Sequence, residues 1–245
     1  MGSTTLTLSS STTDFVTYLD HPIELEVNRK YEAAFLSLFT YNTIPNVTGE
    51  NNEFQYYNGV EWRIIKLPVG AYEISEINNE IQRQMIQNDD YDKDNNSFYT
   101  DISYTKPTSK STINIKHDDY IVKFSNLNSI GSILGFGKIE IKKGFHESIN
   151  VINIEPVNAI LVHCNIISGS YVNGHLSQVI HSFTPNVSPG YKIIETPRPQ
   201  LIFYPVNNCT KIFEIRIWLT DQDNGPINLS GETITVTIRI QPASN

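Results

Sequence analysis

Most of the chain alternates apolar and polar residues in short runs, and the runs are parted by Gly, Pro, Asn and Asp. Alternation with a period of two is the signature of a strand with one buried face. Val60 to Leu67, Phe98 to Thr105, Ser111 to Lys116 and Asp119 to Phe124 follow it, and each is bounded by turn residues. Asn150 to Ile154, Ala159 to Ile167, Gln178 to Phe183, Tyr191 to Glu195 and Leu201 to Tyr204 continue in the same style. Tyr31 to Tyr41 (YEAAFLSLFTY) is almost continuously apolar, which fits a strand buried on both faces or a short buried helix; its aromatics and the Asn-Thr-Ile-Pro turn favour the strand. Lys211 to Leu219 and Glu232 to Ile240 alternate strictly around Asp223-Asn224-Gly225, which predicts a hairpin.

Two helical breaks interrupt the strands. Ile74, Ile77, Ile81 and Met85 fall on one face of a helix, with Ser75 as its expected N-cap and Glu76 in the first turn. A shorter helical turn is expected around Leu127 to Leu134, ending at Gly135. Many short strands with one amphipathic helix predict an all-β chain, a single jelly-roll β-sandwich with the helix inserted. Periodicity does not supply the strand order.

Composition agrees: 33 Ile and 14 Val stand against 5 Ala, and β-branched residues suit a pleated surface better than a helix. No run of about 18 apolar residues exists, so no membrane-spanning helix is expected. Met1 to Thr13 is rich in Ser and Thr and lacks the basic and apolar regions of a secretory signal. That predicts a flexible N-terminal arm over residues 1–13, followed by one domain over 14–245, in a protein made inside the cell. A formal net charge of -8 disfavours a broad nucleic-acid surface. Cys164 and Cys209 are too few for a disulfide scaffold.

Catalytic motifs are missing. The six histidines show no His-x-His or HExxH spacing, and His146-Glu147 lacks the second histidine of a cupin metal site, since position 148 is Ser. His163 and Cys164 are neighbours on one strand and point to opposite faces, so they do not form a nucleophile–base pair. No Gly-x-Ser-x-Gly elbow or phosphate-binding loop is present. One local pattern is sharper: Asp90, Asp92 and Asp94 alternate, and Asp101 stands eleven residues beyond Asp90, a spacing that suits a calcium loop. Asn95 occupies the usual glycine position and Ser97 the usual apolar one, so a solvated acidic loop is the stronger expectation, with no cofactor or metal. Tyr41, Tyr56, Tyr57, Trp62 and Tyr72 lie close in sequence; exposed, they would suit sugar stacking, but alternation buries at least half of them.

A series of phrases then runs in order along the chain. Phe39-Thr-Tyr-Asn-Thr-Ile-Pro-Asn46 is followed by Asn52-Glu-Phe54, Leu67-Pro-Val-Gly-Ala-Tyr-Glu-Ile74 and Ile133-Leu-Gly-Phe136. Val157-Asn158, Gly169-Ser-Tyr-Val-Asn-Gly174, Pro189-Gly-Tyr191 and Tyr204-Pro-Val206 come next. Leu219-Thr-Asp-Gln-Asp-Asn-Gly225 and Gly231-Glu-Thr-Ile-Thr-Val236 close the series. From about Tyr31 to Ile240 the chain resembles the minor capsid protein of Maverick/Polinton-type elements and adintoviruses, itself similar to single-jelly-roll penton proteins of the adenovirus and virophage lineage. The resemblance implies a non-enzymatic homopentamer at the five-fold vertices of an icosahedral virion capsid, beside a double-jelly-roll major capsid protein. The alternative from another class is a jelly-roll carbohydrate- or ligand-binding module, for which a secretion route is expected.

Overall fold

The computed structural model describes residues 2–243. The chain opens with β1 (Thr4–Ser10), β2 (Asp14–Glu24) and β3 (Tyr31–Tyr41). Next come β4 (Glu53–Asn58), β5 (Trp62–Lys66), α1 (Ile74–Gln87), β6 (Thr100–Thr105), β7 (Lys110–Ile115) and β8 (Tyr120–Lys123). They are followed by α2 (Gly131–Leu134), β9 (Glu140–Ile141) and β10 (Gly144–Glu147). The remainder holds β11 (Ile160–Cys164), β12 (Ser170–Val172), β13 (His175–Ser177), β14 (Val179–Phe183), β15 (Lys192–Glu195), β16 (Phe203–Pro205), β17 (Lys211–Thr220) and β18 (Ile234–Pro242).

The residues up to Ile44 and those from Val157 onward make one compact unit, and Pro45–Pro156 makes a second. One domain over 14–245 therefore gives way to two units, each with its own apolar cluster. The boundaries escape a sequence reading because no Pro/Gly/Ser-rich linker marks them.

The first unit is a sandwich of two antiparallel sheets, ordered β1-β18-β3-β15 and β14-β11-β17-β2, with β16 pairing the N-terminal half of β3. The strands pair in nested order, β1 with β18, β2 with β17, β3 with β15 and, innermost, β11 with β14. This nesting of antiparallel pairs is the jelly roll. Its core is made of inward residues from both sheets, among them Phe35, Leu38, Ile160, Val162, Ile215, Ile217, Val236 and Ile238.

Two expectations are corrected in this unit. The stretch expected as a flexible arm over 1–13 is largely strand β1, paired with β18 from Thr4↔Ile240 to Ser10↔Ile234. Leu8 is buried and Leu6 packs on the core, while Ser9 and Thr235 join their hydroxyls at 2.9 Å on the other face. Ser and Thr lower apparent hydrophobicity without preventing alternation. Second, β17 and β18 are not a hairpin. The turn forms, with the Gly225 N–H donating to Asp221 Oδ1 at 2.7 Å, but β17 pairs with β11 and β2, whereas β18 pairs with β1 and β3 in the other sheet. The connection is too long for a two-residue hairpin and carries the chain across the sandwich.

In the second unit α1 lies against two sheets, ordered β5-β4-β8-β9 and β10-β7-β6. Ile74, Ile77, Ile81 and Met85 are all buried with Phe54, Ile65, Ile113 and Val122. The helix begins earlier than a Ser75 cap implies. Glu73 is its N-cap, and the Glu73 N–H donates to Glu76 Oε2 at 2.8 Å. α2 ends at Gly135 as expected, in the left-handed region (φ 75°), where a Cβ would stand 2.3 Å from the Asn150 carbonyl oxygen. Asn150 to Ile154 is not a strand. Its N–H groups donate instead to loop carbonyls, Asn150 to Gly135 and Ile152 to Ser109.

Candidate functional site

Buried polar groups and clefts are where chemistry would be assembled, so each is built up from its residues. On the outer face of the β14-β11-β17-β2 sheet, strand alternation aligns Arg216 and Trp218 of β17 with His163 of β11. The His163 ring stacks on Trp218 at 4.8 Å with planes 10° apart, and the Arg216 guanidinium lies 5.0 Å from the centre of the Trp218 ring. Arg216 also holds Asp14 through two hydrogen bonds, of 2.8 Å and 2.6 Å, which lower the Asp14 pKa.

His163 Nε2 lies 2.8 Å from Thr220 Oγ1, and burial lowers the imidazole pKa to about 4. At neutral pH the ring is uncharged. Its neighbour Cys164 points into the core, where burial pushes the thiol up to about 12. The geometry thus separates the two, as alternation requires. A cleft of about 560 Å³ opens over His163, Trp218, Thr220, Gln178, Asn207 and Leu176. The amides of Gln178 and Asn207 both donate to the Asn165 carbonyl, at 2.9 and 2.8 Å. With His163 and Arg216 both set against its ring, Trp218 is no open platform for a sugar. A second cleft of about 610 Å³ is lined by Val27, Arg29, Lys30, Tyr31, Asn207 and Cys209, whose thiol is likewise raised by burial. A raised thiol is a weak nucleophile at neutral pH.

The second unit buries one carboxylate. Asp90 is 7% exposed and accepts from Tyr56 Oη at 2.6 Å and from Asn58 Nδ2 at 2.9 Å, while Arg63 pairs with it at 3.0 Å. Burial, then the Asp90 hydrogen bond, raise the Tyr56 hydroxyl pKa, so that proton stays in place. This knot joins β4 and β5 to the segment following α1.

The four aspartates with calcium-loop spacing go separate ways. Asp90 is committed to that knot. Asp92 accepts the N–H groups of Asp94 and Asn95, both at 3.1 Å, as an Asx turn. Asp94 is exposed, and Asp101 on β6 accepts from Asn78 and Gln82 at 3.4 Å. Among the described residues, no group of three or more His, Cys, Asp or Glu could hold a metal ion. The five clustered aromatics also part: Tyr56 is wholly buried, and Tyr57 and Trp62 pack together at 5.6 Å across β4 and β5.

What remains uncovered is apolar surface on strands. Val16 and Tyr18 on β2, Phe213 on β17 and Ile194 on β15 are exposed. The sequence carries a signal for them: Phe15-Val16, Tyr18-Leu19, Ile193-Ile194 and Ile212-Phe213 are apolar doublets, and a doublet in a strand must send one side chain outward.

No protein-family model matches the sequence, and no curated protein does. Among solved structures, the chain is similar to the crystal structure of the selenomethionine-labelled penton protein of mavirus. The match covers 98% of this chain and 99% of that one, with a TM-score of 0.52 at 10% identity. The likeness is one of fold, and it is the jelly-roll fold expected from the sequence. Among the described residues no helix is long and apolar enough to cross a membrane.

Proposed function

We propose that this chain is a structural subunit of an icosahedral viral capsid, a penton protein that forms homopentamers at the five-fold vertices. One observation carries the reading: a jelly roll whose end-to-end likeness to the mavirus penton protein extends over nearly the full length of both chains. The interior supports it. The polar groups of the two best-organised clusters are satisfied by one another, as in a scaffold. The partners of this reading are other copies of the chain and a double-jelly-roll major capsid protein. No specific nucleic acid and no membrane span enter it, and the site of action is the virion capsid.

Electron microscopy of shells co-expressed with a double-jelly-roll major capsid protein tests it. Density for this chain is expected at the vertices as a five-membered ring. Density elsewhere, or shells that close without the chain, overturns the assignment.

A further inference from the structure

The two lateral sides of the first unit differ in chemistry. Residues 11–13 alone join β1 to β2, so these two edge strands share one side. On the other side β14 and β15 are tied together: His181 Nε2 lies 2.9 Å from Glu195 Oε1, and the His181 ring stacks on Phe35 at 4.3 Å. β2 and β15 are therefore edge strands on opposite sides of one sandwich.

The β2 side presents Tyr18, 74% exposed, with Val16 beside it and Phe213 on the neighbouring strand. Tyr18 stands opposite Glu214 in register. Asp20 and Glu214 are exposed and carry no ion pair among the described residues. The β15 side presents Ile194, 64% exposed, together with Tyr41 and Tyr191. Lys192 sits opposite Tyr41 with its ammonium 5.7 Å from the Phe39 ring, and Arg198 follows three residues after β15. Neither cation has a carboxylate partner among the described residues. One edge is thus apolar with two free acids, and the other is apolar with two free bases.

We propose that the β2 edge of one copy binds the β15 edge of the next. Two copies of an acidic chain repel at long range, so opposite local charge is needed to set the register of their contact. Because the surfaces differ and lie on opposite sides, the contact is heterologous and propagates from copy to copy, as a closed ring requires. This inference rests on the capsid-ring reading and identifies the surfaces that would meet.

Zero-length carbodiimide cross-linking of the full chain tests the pairing, with cross-linked peptides read by mass spectrometry. The expected product is a ladder in which Lys192 is joined to Asp20 or Glu214 of another copy. Tyr18→Glu and Ile194→Glu each place a charge at an exposed position, and circular dichroism checks that both variants fold. Each alone is expected to lose the ladder. Their mixture should regain a single dimer rung, because one intact edge of each kind remains. A rung from either variant alone, no loss in either variant, no ladder from the wild type, or Lys192 joined to another carboxylate overturns the pairing. A ladder built on the expected links that ends at a number other than five leaves the pairing standing and overturns the five-fold reading. Loss of the links with vertex density intact does the reverse.

Discussion

His163 combines burial, stacking on Trp218 and a bond to Thr220, and its imidazole pKa of about 4 lies below the usual 6.5. As pH falls, the unfolded chain takes up this proton before the folded one. The contribution to stability is complete above about pH 6.5 and is lost between that pH and about 4, by roughly 3 kcal/mol at most. His163→Gln keeps a polar group toward Thr220 and removes the titration. Urea unfolding at a series of pH values should therefore show a wild-type stability falling more steeply below pH 6.5 than that of the variant. Asp90 is the second residue on which much depends. Asp90→Ala leaves Arg63 without its buried carboxylate and Tyr56 without its acceptor, and is expected to cost about 2–4 kcal/mol. A drop in the urea midpoint reads this directly, and Asp90→Asn, which keeps an acceptor for Tyr56, should lose less.

At the level of elements, β1 is integral to the sheet, so Leu8→Ala should behave as a core truncation. A loss of about 2–4 kcal/mol is expected for a buried leucine, and differential scanning calorimetry would record it; an unaffected transition would return this segment to the status of an arm. The strands most legible in the sequence are those with strict alternation or strong apolar content, such as β3, β14 and β17. β2 is an eleven-residue strand, yet Asp20, His21, Pro22 and Glu24 give it the texture of a loop. Those residues are what an edge strand carries to discourage stray pairing. The Asp-Asn-Gly turn after β17 is legible as a turn but does not reveal which sheet β18 joins, because sheet partners are chosen by packing of the whole sandwich. The calcium spacing fails for a similar reason: Asp90 falls on the buried side of the segment after α1, where Arg63 meets it.

For the whole molecule, separate cores imply separate cooperative units. Met85→Ala removes a fully buried side chain from the second unit. Hydrogen exchange followed by mass spectrometry should show faster exchange in residues 45–156, with little change in β3, β17 and β18. Faster exchange throughout would mean that the units unfold as one. The chain leaves the jelly roll after Ile44 and returns at Val157, and both residues pack on that unit's core. All nine strands of the two sandwich sheets lie outside the intervening 112 residues, counted from Pro45 to Pro156. The connection between β3 and β11 is thus a splice point. Foreign sequence exchanged there would leave the strand order of the sandwich untouched, which makes this connection the natural place to graft a foreign peptide or domain onto the jelly roll.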